Sequence, residues 1–217
     1  MSTQGKIYFT AALLFALVAG VIALTFVTQG TGAEGSREMP DLSEYNTYLY
    51  EEPRGIREFE LVNDQGEPVD NDMLLGQWTI AFIGFTYCPD ICPATMATLS
   101  RAAKQISPDV PDPQFLMISA DPERDTPEQL SSYVSFFGDD FRGVTGDRET
   151  LRKLARDLNA VFTHRKDEEG EVVVDHSAHL ALISPHGNFV GMVQPPMEAD
   201  KIATIYHAVA HWIPPQN

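Results

Sequence analysis

Residues 78–93 read WTIAFIGFTYCPDICP, and this stretch decides the fold. Trp78 to Phe85 is a nearly continuous apolar run, the pattern of a strand covered on both faces. Met96, Leu99, Ala103 and Ile106 then recur at helical spacing, so a helix is expected over 93–106. At the junction stand Cys88 and Cys92, the two cysteines of the chain. Each precedes a proline, which disfavours the α region for the residue before it. Cys88 is thus expected to be extended. Pro93 suits the first helical position, and this places Cys92 at the N-cap, where free N–H groups and the helix dipole favour an anion. Cys92 is therefore expected to be the more easily ionised thiol.

Outward from this junction, strands and helices alternate. Ile56 to Val62 alternates like a strand, and Asp64-Gln65-Gly66 supplies a turn. Gln114 to Ala120 (QFLMISA) reads as a second buried strand. Thr126-Pro127-Glu128-Gln129 combines an N-cap, a proline at the first helical position and a capping-box partner, so 127–137 should be a helix. Asp147 caps another through Leu158. A hairpin of 178–183 and 188–193, turning at 184–187, precedes a last helix over 198–212. Strands alternating with helices, closed by a hairpin and helix, predict an α/β domain, a thioredoxin-like three-layer sandwich.

Ahead of the domain, Ile7 to Val27 is a run of twenty-one residues without a charge. As a helix rising about 1.5 Å per residue it spans the roughly 30 Å hydrocarbon core, so residues 7–28 are expected to form a single transmembrane anchor after a short tail, 1–6. A cleaved signal peptide has a shorter apolar region and a small-residue cleavage site, and an amphipathic core helix would show a polar face. Residues 29–52 open with QGTGAEGSREMP and read as a linker; 53–217 are expected to be the folded domain, on the outer side of the membrane.

Fifteen Lys and Arg stand against 31 Asp and Glu, for a formal net charge of −16. Lys6, Arg37, Glu34 and Glu38 cancel, so the whole −16 falls on residues 41–217. Phosphate neutralisation needs clustered cations, which argues against a nucleic-acid partner. Two cysteines also exclude a domain stapled by several disulfides.

Three residues between Cys88 and Cys92 let the sulfurs converge, as a disulfide or as two ligands of one metal ion; the plain alternative is a pair of structural thiols. Among six histidines, His176 stands out in the segment VVVDHS (172–177), entering the strand over 178–183. In a thioredoxin-like sheet that loop faces the cysteine loop. Two thiolates suit copper(I), and an imidazole admits copper(II). A structural zinc site wants a fourth ligand. A hydrogen-bonding loop histidine is the plain alternative. His207 and His211, four apart on the last helix, share a face and can chelate a metal, although such pairs are commonly an exposed helix end. His164, His179 and His186 receive no role, and the scattered methionines form no copper-binding run.

FTYCPDICP (85–93), SADPERDTPEQL (119–130) and VDHS (174–177), in this order, resemble the Sco/SenC family of membrane-tethered copper proteins with a thioredoxin-like fold. The likeness runs from about Arg57 to the last helix. It implies Cys88, Cys92 and His176 as copper ligands, and a role in assembling the dinuclear copper centre of cytochrome c oxidase, with the copper-acceptor subunit as partner. Delivery of copper by a metallochaperone and reduction of the acceptor's cysteines by a thiol-disulfide oxidoreductase both fit, with Cys88 and Cys92 as the redox-active pair in the second case. The paired Cys-Pro context argues against a peroxide-reducing enzyme. Asp90 and Asp175 flank the ligands; Asp121 and Thr126 suit a turn and a cap. His179 departs from the aromatic residue that members often carry.

Overall fold

All six residues of β4 (Thr79–Gly84) and of β5 (Gln114–Ser119) are buried, as continuous apolar runs require once both faces of a sheet are covered. The structure, a computed structural model, describes residues 15–20, 38–170 and 172–213. Residues 15–20 are helical. The rest of the expected anchor over 7–28 lies outside the described residues, among which no helix is long and apolar enough to cross a membrane.

From Met39 onward the chain forms one compact unit. The strands β1 (Thr47–Gly55), β2 (Leu61–Asn63), β3 (Pro68–Val69), β6 (Phe141–Thr145), β9 (Leu180–Ile183) and β10 (Asn188–Val193) join β4 and β5 in an eight-stranded sheet. Its order is β1-β10-β9-β4-β5-β6-β2-β3. β4, β5 and β6 run parallel, while β9 is antiparallel to β4 and β10 to β9. β7 (Phe162–Lys166) and β8 (Val172–His176) pair apart from this sheet as an antiparallel ribbon.

The helices are α1 (Ile91–Ala103), α2 (Pro127–Val134), α3 (Arg148–Asp157) and α4 (Ala199–Trp212). α1 crosses from β4 to β5 and α2 from β5 to β6. Thr126 caps α2, its hydroxyl accepting from Gln129 N–H, and Pro127 opens the helix as expected. Asp147 caps α3 through Thr150 N–H at 2.8 Å. α4 buries Ile202, Ile205, Tyr206, Val209 and Ala210, a helical stripe, and packs on α1. Crossover α1 followed by the β9–β10 hairpin and α4 is the thioredoxin-like arrangement expected above.

Three expectations need correction. The strand expected over 56–62 is reduced to β2, and the ordered sheet instead begins within the expected linker, where β1 pairs with β10. α1 begins at Ile91, not at Pro93, with Ala94 N–H bonding to the Asp90 carbonyl. A proline is accommodated anywhere in the first turn, because the amides there have no intrahelical partner. His176 closes β8, where it pairs with Phe162, and does not lie in a loop.

Gly191 of β10 lies directly against β1: a Cβ there would collide with the Tyr48 carbonyl oxygen and come within 3.0 Å of Leu49 Cα. Both are backbone atoms, so the strand must move aside. Gly191→Ala is expected to destabilise the chain by about 1–3 kcal/mol, as overpacking does. A denaturant melt checks this, and an unchanged midpoint contradicts the close β1–β10 seam.

Candidate metal centre

The loop from β4 into α1 carries both cysteines. Gly84, the last residue of β4, makes room: a Cβ there would lie 3.2 Å from Cys92 Sγ and 2.6 Å from Phe82 Cε2. Since α1 starts at Ile91, Cys92 sits inside the first turn and turns its sulfur inward. It is 1% exposed, against 9% for Cys88. Both thiols are free, and Cys92 N–H donates to Cys88 Sγ at 3.4 Å.

His176 approaches from the end of β8. Its Nδ1 lies 2.9 Å from the Ser177 carbonyl oxygen. A carbonyl can only accept, so Nδ1 carries the proton and Nε2 presents its lone pair. That Nε2 is 3.5 Å from Cys92 Sγ, and the Phe85 ring meets the imidazole edge-on at 5.8 Å. Cys88 Sγ, Cys92 Sγ and His176 Nε2 all lie within 4.8 Å of one another. Two soft sulfurs and one correctly oriented imidazole nitrogen form a donor set suited to copper, the second nitrogen being held by a backbone carbonyl as metal-binding histidines require.

Beneath the loop lies Asp125, which no sequence signal singles out. It is fully buried and accepts from Thr86 N–H (3.1 Å), Thr86 Oγ1 (2.7 Å) and Ser119 Oγ (2.6 Å). It thereby clamps the residue two beyond β4 to the last residue of β5. Burial pushes its carboxyl upward, with the Ser119 and Thr86 hydrogen bonds acting the other way. Within DPERDTPEQL, which passes through Asp125, the turn expected at Asp121 forms: its carbonyl accepts from Arg124 and Asp125 N–H.

The expected ease of ionisation at Cys92 is overturned. Burial is the largest influence and pushes this thiol well up; a hydrogen bond with the Phe85 backbone lowers it, while Cys88 and Asp125 raise it further. A helix N-terminus offers an anion typically about 0.3–1 kcal/mol, whereas removing a charge from water costs several. Desolvation outweighs the helix dipole, so a Cys92 thiolate here calls for a cation beside it.

The neighbouring residues divide plainly. Asp175 turns outward to Arg165 at 2.7 Å and is not the partner of the His176 ring. Asp90 takes the N-cap position of α1 without a side-chain cap. His179 is buried, its Nε2 on the Leu158 carbonyl at 3.0 Å, where it satisfies the end of α3. His164 gathers with Asp121 and Glu123, but these carboxylates already pair with Arg124 and Arg148. Tyr87, beside Cys88, and Ile91 are exposed, leaving an apolar rim on the site, with Arg124 5.1 Å above the Tyr87 ring.

The sequence model of the SCO1/SenC family matches residues 49–211. The mitochondrial protein SCO1 homolog 1 of Arabidopsis thaliana is 35% identical over 184 residues, covering 82% of this chain and 53% of that protein. The chain thus spans about half the length of that relative. Among solved structures, copper-bound ScoI of Arabidopsis thaliana aligns with TM-score 0.66 and 34% identity over 71% of this chain and 98% of that one. Copper-bound yeast Sco1 aligns with TM-score 0.66 and 28% identity over 75% of this chain and 92% of that one. With the matched span running from β1 into the last turn of α4 and taking in both cysteines and His176, the chain belongs to the SCO1/SenC family.

Proposed function

We propose that this chain is a membrane-tethered copper carrier, taking one copper ion on Cys88, Cys92 and His176 and serving the assembly of the dinuclear copper centre of cytochrome c oxidase. The convergence of two sulfurs and one imidazole nitrogen within 4.8 Å carries this assignment. The family relationship and the copper held by the aligned Arabidopsis and yeast structures support it. The apolar run over 7–28 is the anchor, and the acidic domain beyond 53 works on the outer side, where it meets the copper-acceptor subunit.

Chemically, the ion supplies the positive charge that makes two thiolates tolerable in a buried pocket. The sites of release are the ligands nearest solvent, since His176 is half-buried and Cys88 is more open than Cys92. An acceptor thiolate can replace them one at a time, so that the ion is never left without ligands. A three-donor set also leaves room for an incoming fourth group.

One observation favours thiol-disulfide exchange as a second activity of the same pair: the two sulfurs are adjacent, with Cys88 the more open of the two. In that reaction the Cys88 thiolate attacks a sulfur of the acceptor disulfide and the other acceptor sulfur leaves, taking up a proton. Cys92 then attacks Cys88 sulfur, its proton passing to the second acceptor sulfur, which leaves as a thiol. Two electrons pass to the acceptor and a Cys88–Cys92 disulfide remains.

His176→Ala separates the two activities. In an anaerobic titration of the full chain with copper(I), its affinity is expected to fall at least about tenfold, while reduction of a model disulfide persists. Affinity equal to the parent's overturns the three-ligand assignment.

Reactivity of the metal-free chain provides a second measurement. The upward shift of the Cys92 thiol leaves less thiolate at neutral pH, so its alkylation by iodoacetamide should be at least about tenfold slower in the native than in the unfolded chain. The rate should climb as pH rises toward the shifted value. Equal native and unfolded rates at Cys92, read by mass spectrometry, contradict the burial account.

A further inference from the structure

At the other end of the domain, the i, i+4 pair His207 and His211 on α4 meets a carboxylate far from it in sequence. Asp109 stands in the segment leading into β5, so it lies where the parallel strands begin, whereas the cysteines follow the end of β4. His207 Nε2 is 3.1 Å and His211 Nε2 3.7 Å from Asp109 Oδ2. The three donor atoms lie within 4.8 Å of one another, and the two imidazole centroids are 4.3 Å apart.

We propose that Asp109, His207 and His211 form a second, thiol-free site for a divalent transition-metal ion, with copper(II) held most tightly.

Three features of the surroundings support a built arrangement. His211 Nδ1 lies 2.8 Å from the His207 carbonyl oxygen, so this nitrogen carries the proton and Nε2 is the one turned toward Asp109. The buried Tyr206, next to His207, donates its hydroxyl to the Pro111 carbonyl and ties α4 to the same segment that carries Asp109. Trp78 Nε1–H, donating to the Ile213 carbonyl at 3.0 Å, fixes the end of the helix against the start of β4.

The spacing fits an ion. Nitrogen and oxygen donors about 2.0 Å from a tetragonal copper(II) ion lie about 2.8 Å apart when adjacent and about 4 Å apart when opposite, so the 3.1 Å and 3.7 Å separations from Asp109 Oδ2 need only small side-chain adjustments at this exposed site. The His207 Nε2–Asp109 Oδ2 contact accommodates one proton, and a metal would take its place. His207 also borders a shallow groove of about 390 Å³ with Ser107 and Asp200 on its wall, so water can complete the coordination sphere. Imidazole and carboxylate donors select divalent ions over copper(I), and the stability order among first-row ions puts copper(II) above zinc. The site differs in kind from the cysteine centre and stands whether or not that centre carries copper.

The test uses the full chain with Cys88→Ser and Cys92→Ser, titrated with copper(II) by calorimetry and followed by electron paramagnetic resonance. One equivalent should bind, with nitrogen coupling and without thiolate-to-copper charge transfer. His207→Ala in this background should weaken binding at least about tenfold, and Asp109→Asn should weaken it in the same direction. His207 and Asp109 are about half exposed, so neither change disturbs the core. Absence of copper(II) binding in the double-serine chain, or binding unmoved by His207→Ala, overturns the proposal.

Discussion

Parallel pairing of β4 with β5, from Thr79 against Gln114 to Gly84 against Ser119, brings both strands to an end at one level. There Asp125 bridges Thr86 and Ser119 with three hydrogen bonds from inside the core. A buried carboxylate of this kind is costly to leave unsatisfied, and fully satisfied it holds its partners in one arrangement. The cysteine loop departs directly from Thr86. Its position relative to the sheet therefore rests on that clamp, and the room for Cys92 Sγ rests on the missing side chain of Gly84. The imidazole of His176 comes from the separate β7–β8 ribbon and completes the donor set only because the sheet brings that ribbon's end beside the loop.

The electrostatics of the centre follow from where the sulfur points. A helix start favours anions, but the benefit is small beside the cost of burying a charge. Cys92 in its first-turn position thus behaves as a buried thiol awaiting a cation. Copper binding and thiol deprotonation are coupled in such a pocket, since the proton must leave as the ion arrives. Burial alone holds the metal-free Cys92 as a thiol, while Cys88 lies nearer the surface.

Much of this architecture is legible in the sequence where one physical signal dominates. The apolar runs of β4 and β5, the Thr126-Pro127-Gln129 start of α2, the Asp147 cap and the β9–β10 hairpin all fall close to expectation. β1 is less visible, because Glu51, Glu52, Pro53 and Arg54 make it a polar edge strand whose partner lies near the other end of the chain. Proline marks a first turn without saying which residue of the turn it occupies, which is why the sequence pattern alone puts Cys92 at the cap. Its inward direction, and hence its resistance to ionisation, depends on that register. Asp125 sits among Asp121, Glu123 and Arg124, and only the fold reveals which of these acids Ser119 and Thr86 reach. Cys88, Cys92 and His176 stand out together because their chemistry is unusual in a chain with two cysteines.

The surface trio of Asp109, His207 and His211 lacks sulfur and should leave copper(I) to the cysteine centre. X-ray absorption on the full chain loaded anaerobically with one equivalent of copper(I) is therefore the most direct measurement of the coordination proposed. Two sulfur scatterers and one imidazole per copper are predicted, with the imidazole contribution lost in His176→Ala. A spectrum of the parent chain with sulfur ligands alone, or with a single sulfur, would contradict the account.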